Sequence, residues 1–78
     1  MNELLKRIQI DRKIMVGKPV IRGTRVTIEN IMNELALGLT PAEIVDLYPR
    51  LTVDDVRAAC AYAARSLADE SFEFLAAE

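Results

Sequence analysis

From Thr27 onward, apolar residues recur with the period of an α-helix. Ile28, Ile31, Met32 and Leu35 fall at i, i+3, i+4 and i+7. Thr27 can cap the helix they define, and Gly38 supplies a left-handed stop. This predicts a first helix over residues 28–37. Thr40-Pro41-Ala42-Glu43 combines an N-cap, a first-turn proline and a capping-box glutamate. It predicts a short second helix that ends before Pro49, with Ile44, Val45, Leu47 and Tyr48 on its buried side. Thr52-Val53-Asp54-Asp55 repeats the cap signal, with both aspartates at the positive end of the helix dipole. A third helix is predicted over residues 53–67, with a narrow stripe of Val53, Val56, Cys60, Ala63 and Leu67. Ala58, Ala59, Ala61 and Ala64 allow close backbone approach, and Tyr62 falls at the stripe's edge.

Before Thr27 the helical period gives way to short β-prone pieces, residues 8–10 and 20–21, separated by charged and glycine-containing turns. They predict a small β-hairpin or arm. Two strands alone are marginally stable, so the arm should pack on the helices or pair with a second chain. After Leu67, Phe72, Phe74 and Leu75 follow the acidic Asp69-Glu70. They fit an anchor in a partner's groove, since buried aromatics commonly dominate binding energy. They fit equally a segment closing the domain's own core or a homodimer seam. The whole reads as one mainly α domain: a basic β arm (1–26), a trihelical core (27–67) and a tail (68–78).

Composition agrees with a folded domain: 51% of residues are hydrophobic and 28% charged. The net charge of −2 hides a division. Residues 1–26 carry seven cations against Glu3 and Asp11; residues 27–78 carry three cations against ten carboxylates. A basic head on an acidic body suggests an anionic partner for the head. The lone Cys60 excludes an intramolecular disulfide and, in its alanine-rich run, reads as a buried thiol in a reducing, intracellular protein. No apolar run reaches the ~20 residues needed to span a bilayer, so a soluble, cytoplasmic protein is expected.

The head's densest feature is Gly17-Lys18-Pro19-Val20-Ile21-Arg22-Gly23-Thr24-Arg25, which gathers three cations, two glycines and a proline. Lys18, Arg22 and Arg25, with Arg12 and Lys13 just before, are the candidate residues for binding a partner or nucleic acid; the arginines are fixed-charge forks suited to carboxylate or phosphate. The alternative is a solvated loop whose Arg22 or Arg25 pairs with the chain's own carboxylates. A phosphate-binding P-loop is excluded, because Pro19 stands where the hydroxyl belongs and Arg12 where the first glycine belongs. The absence of histidine and the single cysteine leave metal clusters and acid–base catalysis poorly supplied, so no cofactor and no enzymatic activity are expected. Residues 42–48, the turn 49–52 and the helix from Val53 make a helix-turn-helix pattern. Its second helix opens on Val53, Asp54 and Asp55, and carboxylates there would repel phosphates.

Ile10-Asp11, the nine-residue motif with Val26-Thr27, Gly38-Leu39-Thr40-Pro41-Ala42-Glu43-Ile44 and Tyr48-Pro49-Arg50-Leu51-Thr52 occur in that order. In these residues the chain resembles the bacterial and archaeal domain of unknown function 433 family, over residues 8–64. The resemblance implies a small helix-turn-helix-like domain of homeodomain-like or winged-helix-like type with a short N-terminal β element. It also implies an antitoxin similar to the VapB class, paired with a PIN-like ribonuclease toxin whose active site is a metal-binding carboxylate cluster. Arg22 or Arg25 would then compete with that metal by charge and fork geometry. Expected alternatives are a small DNA-binding regulator, or a homodimeric interaction module without a toxin.

Overall fold

The computed structural model describes the backbone of residues 2–76 and the side chains of residues 3–68. Its elements are α1 (Asn2–Leu5), β1 (Ile8–Gln9), a 3₁₀ turn (Met15–Gly17), β2 (Val20–Ile21), α2 (Ile28–Ala36), α3 (Pro41–Leu47) and α4 (Val53–Ala76). The strands pair antiparallel, Ile8 opposite Ile21 and Gln9 opposite Val20. The fold is mainly helical with a small hairpin at its head.

Local chemistry sets the helix starts. Thr27 accepts from the Asn30 N–H, and Thr40 and Glu43 satisfy one another's backbone N–H groups in a full capping box. Thr52 and Asp55 do the same for α4: the Thr52 N–H reaches Asp55 Oδ2 at 2.8 Å, and the Asp55 N–H reaches Thr52 Oγ1 at 3.2 Å. The hydrogen bond from the Thr40 backbone, and then that from its side chain, hold the Glu43 carboxyl below its ordinary value of 4.5. A depressed folded-state pKa stabilises above the ordinary value and loses that contribution as pH falls through the lower one. Glu43→Gln is therefore expected to flatten the acid limb of a stability-against-pH curve, read by thermal melts below pH 5, about the ordinary carboxylate range.

α4 is the central element; α1, α2, α3 and β1 all pack on it. Ile21, Ile28, Ile31, Ile44, Leu51, Val56 and Ala59 form the buried cluster, with Ile8, Met32, Leu35, Val45 and Tyr48 packed against it. Ala58 and Ala61 are buried outside that cluster, so α4 is covered on two adjoining sides.

Four expectations need correction. Val53, Cys60 and Leu67 of the expected stripe are exposed. Asp55, at 6% exposure, turns inward instead, because Thr52 and Arg7 satisfy its carboxylate, and this rotates the buried face of α4. Cys60 is accordingly an exposed thiol. Leu47 is 56% exposed, away from the core that holds Ile44. Finally, α4 runs past residue 67 to Ala76, as a sequence free of Gly and Pro and rich in Ala permits. The side chains of Phe72, Phe74 and Leu75 lie outside the described residues. No helix among the described residues is long and apolar enough to cross a membrane.

Candidate functional site: a cleft lined by Arg25 and Arg50

The nine-residue motif folds as two pinned turns around β2. In the second, the Thr24 N–H donates to the Ile21 carbonyl at 3.0 Å, and Gly23 takes φ +80° at the third position. The Thr24 hydroxyl donates to the Ile21 carbonyl at 2.7 Å and accepts from the Val26 N–H at 3.0 Å. Beyond it, the Ile28 N–H donates to the Pro19 carbonyl at 2.9 Å. Arg25 thus projects from a loop tied at both ends. Space beside Gly23 is open, so only its backbone conformation resists a side chain. Gly23→Val is expected to cost about 1–2 kcal/mol, the scale of a β-branched residue forced into left-handed backbone, and chemical denaturation reads it directly.

The first turn is more unusual. Met15 and Val16 hold φ +49° and +52°, and with Gly17 at +84° they make a left-handed run closed by the Gly17 and Lys18 N–H groups. Left-handed backbone costs a residue with a side chain about 1–2 kcal/mol. The turn brings Met15 and Lys18 to one wall of a cleft and leaves Val16 91% exposed.

That cleft, about 660 Å³, lies between this turn, the 24–27 loop, the exposed side of α2 and the α3–α4 turn. Met15, Val26, Leu47 and Tyr48 give it apolar surface; Asn30 and Asn33 add amides from α2. Tyr48 is fixed by Asn30 Nδ2, which donates to its hydroxyl at 2.6 Å, while that hydroxyl donates to Glu34 Oε1 at 3.2 Å. Lys18, Arg25 and Arg50 bring positive charge to it, and Glu29 one negative charge. Lys18 pairs with Glu29 at 3.0 Å across half-exposed side chains, a contact worth little in water. Arg25 and Arg50 enter no ion pair among the described residues.

Of the five cations singled out from sequence, the structure brings Lys18 and Arg25 to the cleft. Arg22 instead clamps the hairpin, donating from Nε to the Lys6 carbonyl at 3.1 Å and from a terminal nitrogen to the Ile8 carbonyl at 3.2 Å. Arg12 and Lys13 are exposed on the loop before the left-handed turn and do not line the cleft. Arg50 was not among the sequence candidates; its position beside Pro49 at the end of a helix was the available signal.

The α4 start also differs from its sequence reading. Arg7 reaches Asp55 Oδ1 at 3.1 Å and Asp54 Oδ2 at 3.8 Å, and Arg57 holds Asp54 Oδ1 at 3.2 Å. Both aspartates are therefore partnered. No group of His, Cys, Asp or Glu among the described residues is arranged to hold a metal.

Comparison with known proteins gives the chain its relatives. A family described as Protein of unknown function (DUF433) matches residues 8–63, a span that takes in the hairpin, the cleft and the first half of α4. An uncharacterized protein of Archaeoglobus fulgidus is 52% identical over 25 residues, 32% of this chain and 69% of that protein. The crystal structure of a DUF433 member protein from Anabaena variabilis matches with a TM-score of 0.76 at 28% identity, covering 92% of this chain and 71% of that one. The chain belongs to the DUF433 family.

Proposed function

We propose that this chain is a non-catalytic, antitoxin-like protein whose cleft receives a carboxylate-rich surface of a PIN-like ribonuclease and so blocks it. The observation that carries the reading is the pair Arg25 and Arg50, which line one cleft with no ion-pair partner among the described residues. Two guanidinium groups that line one cleft from separate parts of the chain suit the carboxylates of a metal-binding nuclease site. The apolar wall beside them suits a protein partner better than a bare phosphate chain, and the cleft offers little aromatic surface for base stacking. In this reading the protein acts in the cytoplasm as a homodimer. The test is a search for a PIN-like nuclease gene beside this one, followed by an inhibition assay on its product: wild type blocks RNA cleavage and Arg25→Ala with Arg50→Ala does not. Equal inhibition by the variant sinks the proposal.

One observation favours a second reading, a small DNA-binding regulator that controls its own operon. Asp54 and Asp55 are partnered by Arg7 and Arg57, which lightens the charge objection to α4 entering a groove. A gel-shift titration separates the two. The DNA reading predicts binding that weakens steeply with salt and that the Arg57→Ala change reduces; the nuclease reading predicts no shift.

A further inference from the structure

α4 is covered on only part of its circumference. α1, α2, α3 and β1 pack on it and bury Asp55, Val56, Ala58, Ala59 and Ala61. Val53, Arg57, Cys60, Ala64, Leu67 and Ala68 are all exposed, and at 3.6 residues per turn they fall on one arc about 100° wide. Val53 is 48% exposed and Leu67 60%. Arg57 is the one charged residue of the arc, and it folds back onto Asp54 Oδ1 at 3.2 Å. Asp54 and Arg65 share one flank of the arc, near its opposite ends. The Asp54 side chain is 52% exposed and its Oδ2 lies 3.8 Å from Arg7, which leaves room for a further cation. Arg65 is exposed and enters no ion pair among the described residues.

We infer that two copies of this chain pair along this arc of α4, antiparallel and centred on Cys60. Two features select a second copy running the other way. Val53 stands seven residues before Cys60 and Leu67 seven after it, so a twofold axis at Cys60 seats Val53 of each copy against Leu67 of the other. Charge follows the same symmetry. In an antiparallel pair each flank faces its own counterpart, so Asp54 of each copy comes beside Arg65 of the other. Parallel copies would instead set Asp54 against Asp54 and Arg65 against Arg65, which the charge pattern opposes. The small side chains of Cys60 and Ala64 let the helix axes approach to about 8 Å, the close end of the range for packed helices, and bring the two Cys60 thiols together on the axis. The pairing rests on the homodimer of the reading above and uses neither the cleft nor a nuclease.

Sedimentation equilibrium on the full chain tests the pairing, with circular dichroism confirming that each variant keeps its helix content. Wild type is expected to be a dimer, which mild oxidation with copper phenanthroline links through Cys60 into a covalent dimer that a thiol reductant splits. Leu67→Glu, at an exposed position, gives a monomer and no cross-link. Arg65→Glu raises the dissociation constant about tenfold, since two exposed ion pairs become two repulsions. Adding Asp54→Lys to Arg65→Glu restores it to within a few-fold of wild type. A monomeric wild type overturns both the homodimer and this seam. A dimer indifferent to Leu67→Glu, a dimer that Cys60 does not cross-link, or a combined variant no tighter than Arg65→Glu alone overturns the seam and leaves the homodimer to another surface. Inhibition of RNA cleavage reads the cleft separately, so either claim can fail alone.

Discussion

Asp55→Ala is expected to lower the unfolding free energy by about 2–3 kcal/mol, the sum of a lost helix cap and a lost charge-assisted contact. The Asp55 side chain is 9% exposed, and its carboxylate has two jobs. It accepts the Thr52 N–H at 2.8 Å, which starts α4, and it receives Arg7 at 3.1 Å, which ties the segment between α1 and β1 to α4. Removing it leaves the Thr52 N–H short of its partner at the head of the helix on which the other elements pack. The Arg7 side chain is 42% exposed, so its guanidinium stays hydrated after the change, and the ion pair's share is discounted toward the value of a surface contact. For 78 residues, total stability is of order 4–12 kcal/mol, so the loss is a large fraction of the whole. Urea denaturation of Asp55→Ala and Asp55→Asn separates the two jobs. The asparagine keeps an acceptor for the cap and should recover about half of the loss, near the ~1 kcal/mol typical of a cap.

Arg25→Glu with Arg50→Glu is expected to abolish partner binding while leaving the fold intact. Hydrogen bonds to charged groups contribute about 1.5–3 kcal/mol each, so losing two exceeds about 3 kcal/mol. That is more than about 100-fold in affinity, and reversal adds repulsion to the loss. Both side chains are exposed, and neither enters an ion pair among the described residues, so the melting temperature should barely move. Arg22→Ala is the contrasting control. It removes the clamp on the Lys6 and Ile8 carbonyls, so it should lower stability and leave affinity per folded molecule close to wild type.

What the sequence revealed divides along the range of the forces involved. Thr27, Thr40 and Thr52 act on N–H groups within three residues of themselves, so three helix starts were legible from local chemistry alone. The hairpin was legible too, because its two short apolar pieces sit between turn residues. α1 was not: four residues cannot sustain a helix alone, and this one packs on α4, far along the chain. The phase of α4 is hidden from the sequence for a related reason. Asp55 looks like a solvated helix-start residue until Arg7, 48 positions away, makes its burial tolerable. At the site, Lys18 and Arg25 were visible as cations in a turn-rich motif, whereas Arg22 could be assigned to the fold only once the hairpin register placed two carbonyls beside it. Arg50 joins the cleft through the α3–α4 turn, a neighbourhood that no short window of sequence displays.

If the cleft is the surface a protein partner occupies, binding must perturb the residues that line it. The direct test is an amide chemical-shift titration of the isotope-labelled chain with an unlabelled PIN-like nuclease, the partner proposed above. The largest changes are expected at Lys18, Thr24, Arg25, Asn30, Asn33, Tyr48 and Arg50, which line the cleft, and they vanish in the Arg25→Glu, Arg50→Glu variant. Changes confined to the exposed start of α4, or to Arg12 and Lys13, with the cleft amides unmoved, would contradict it.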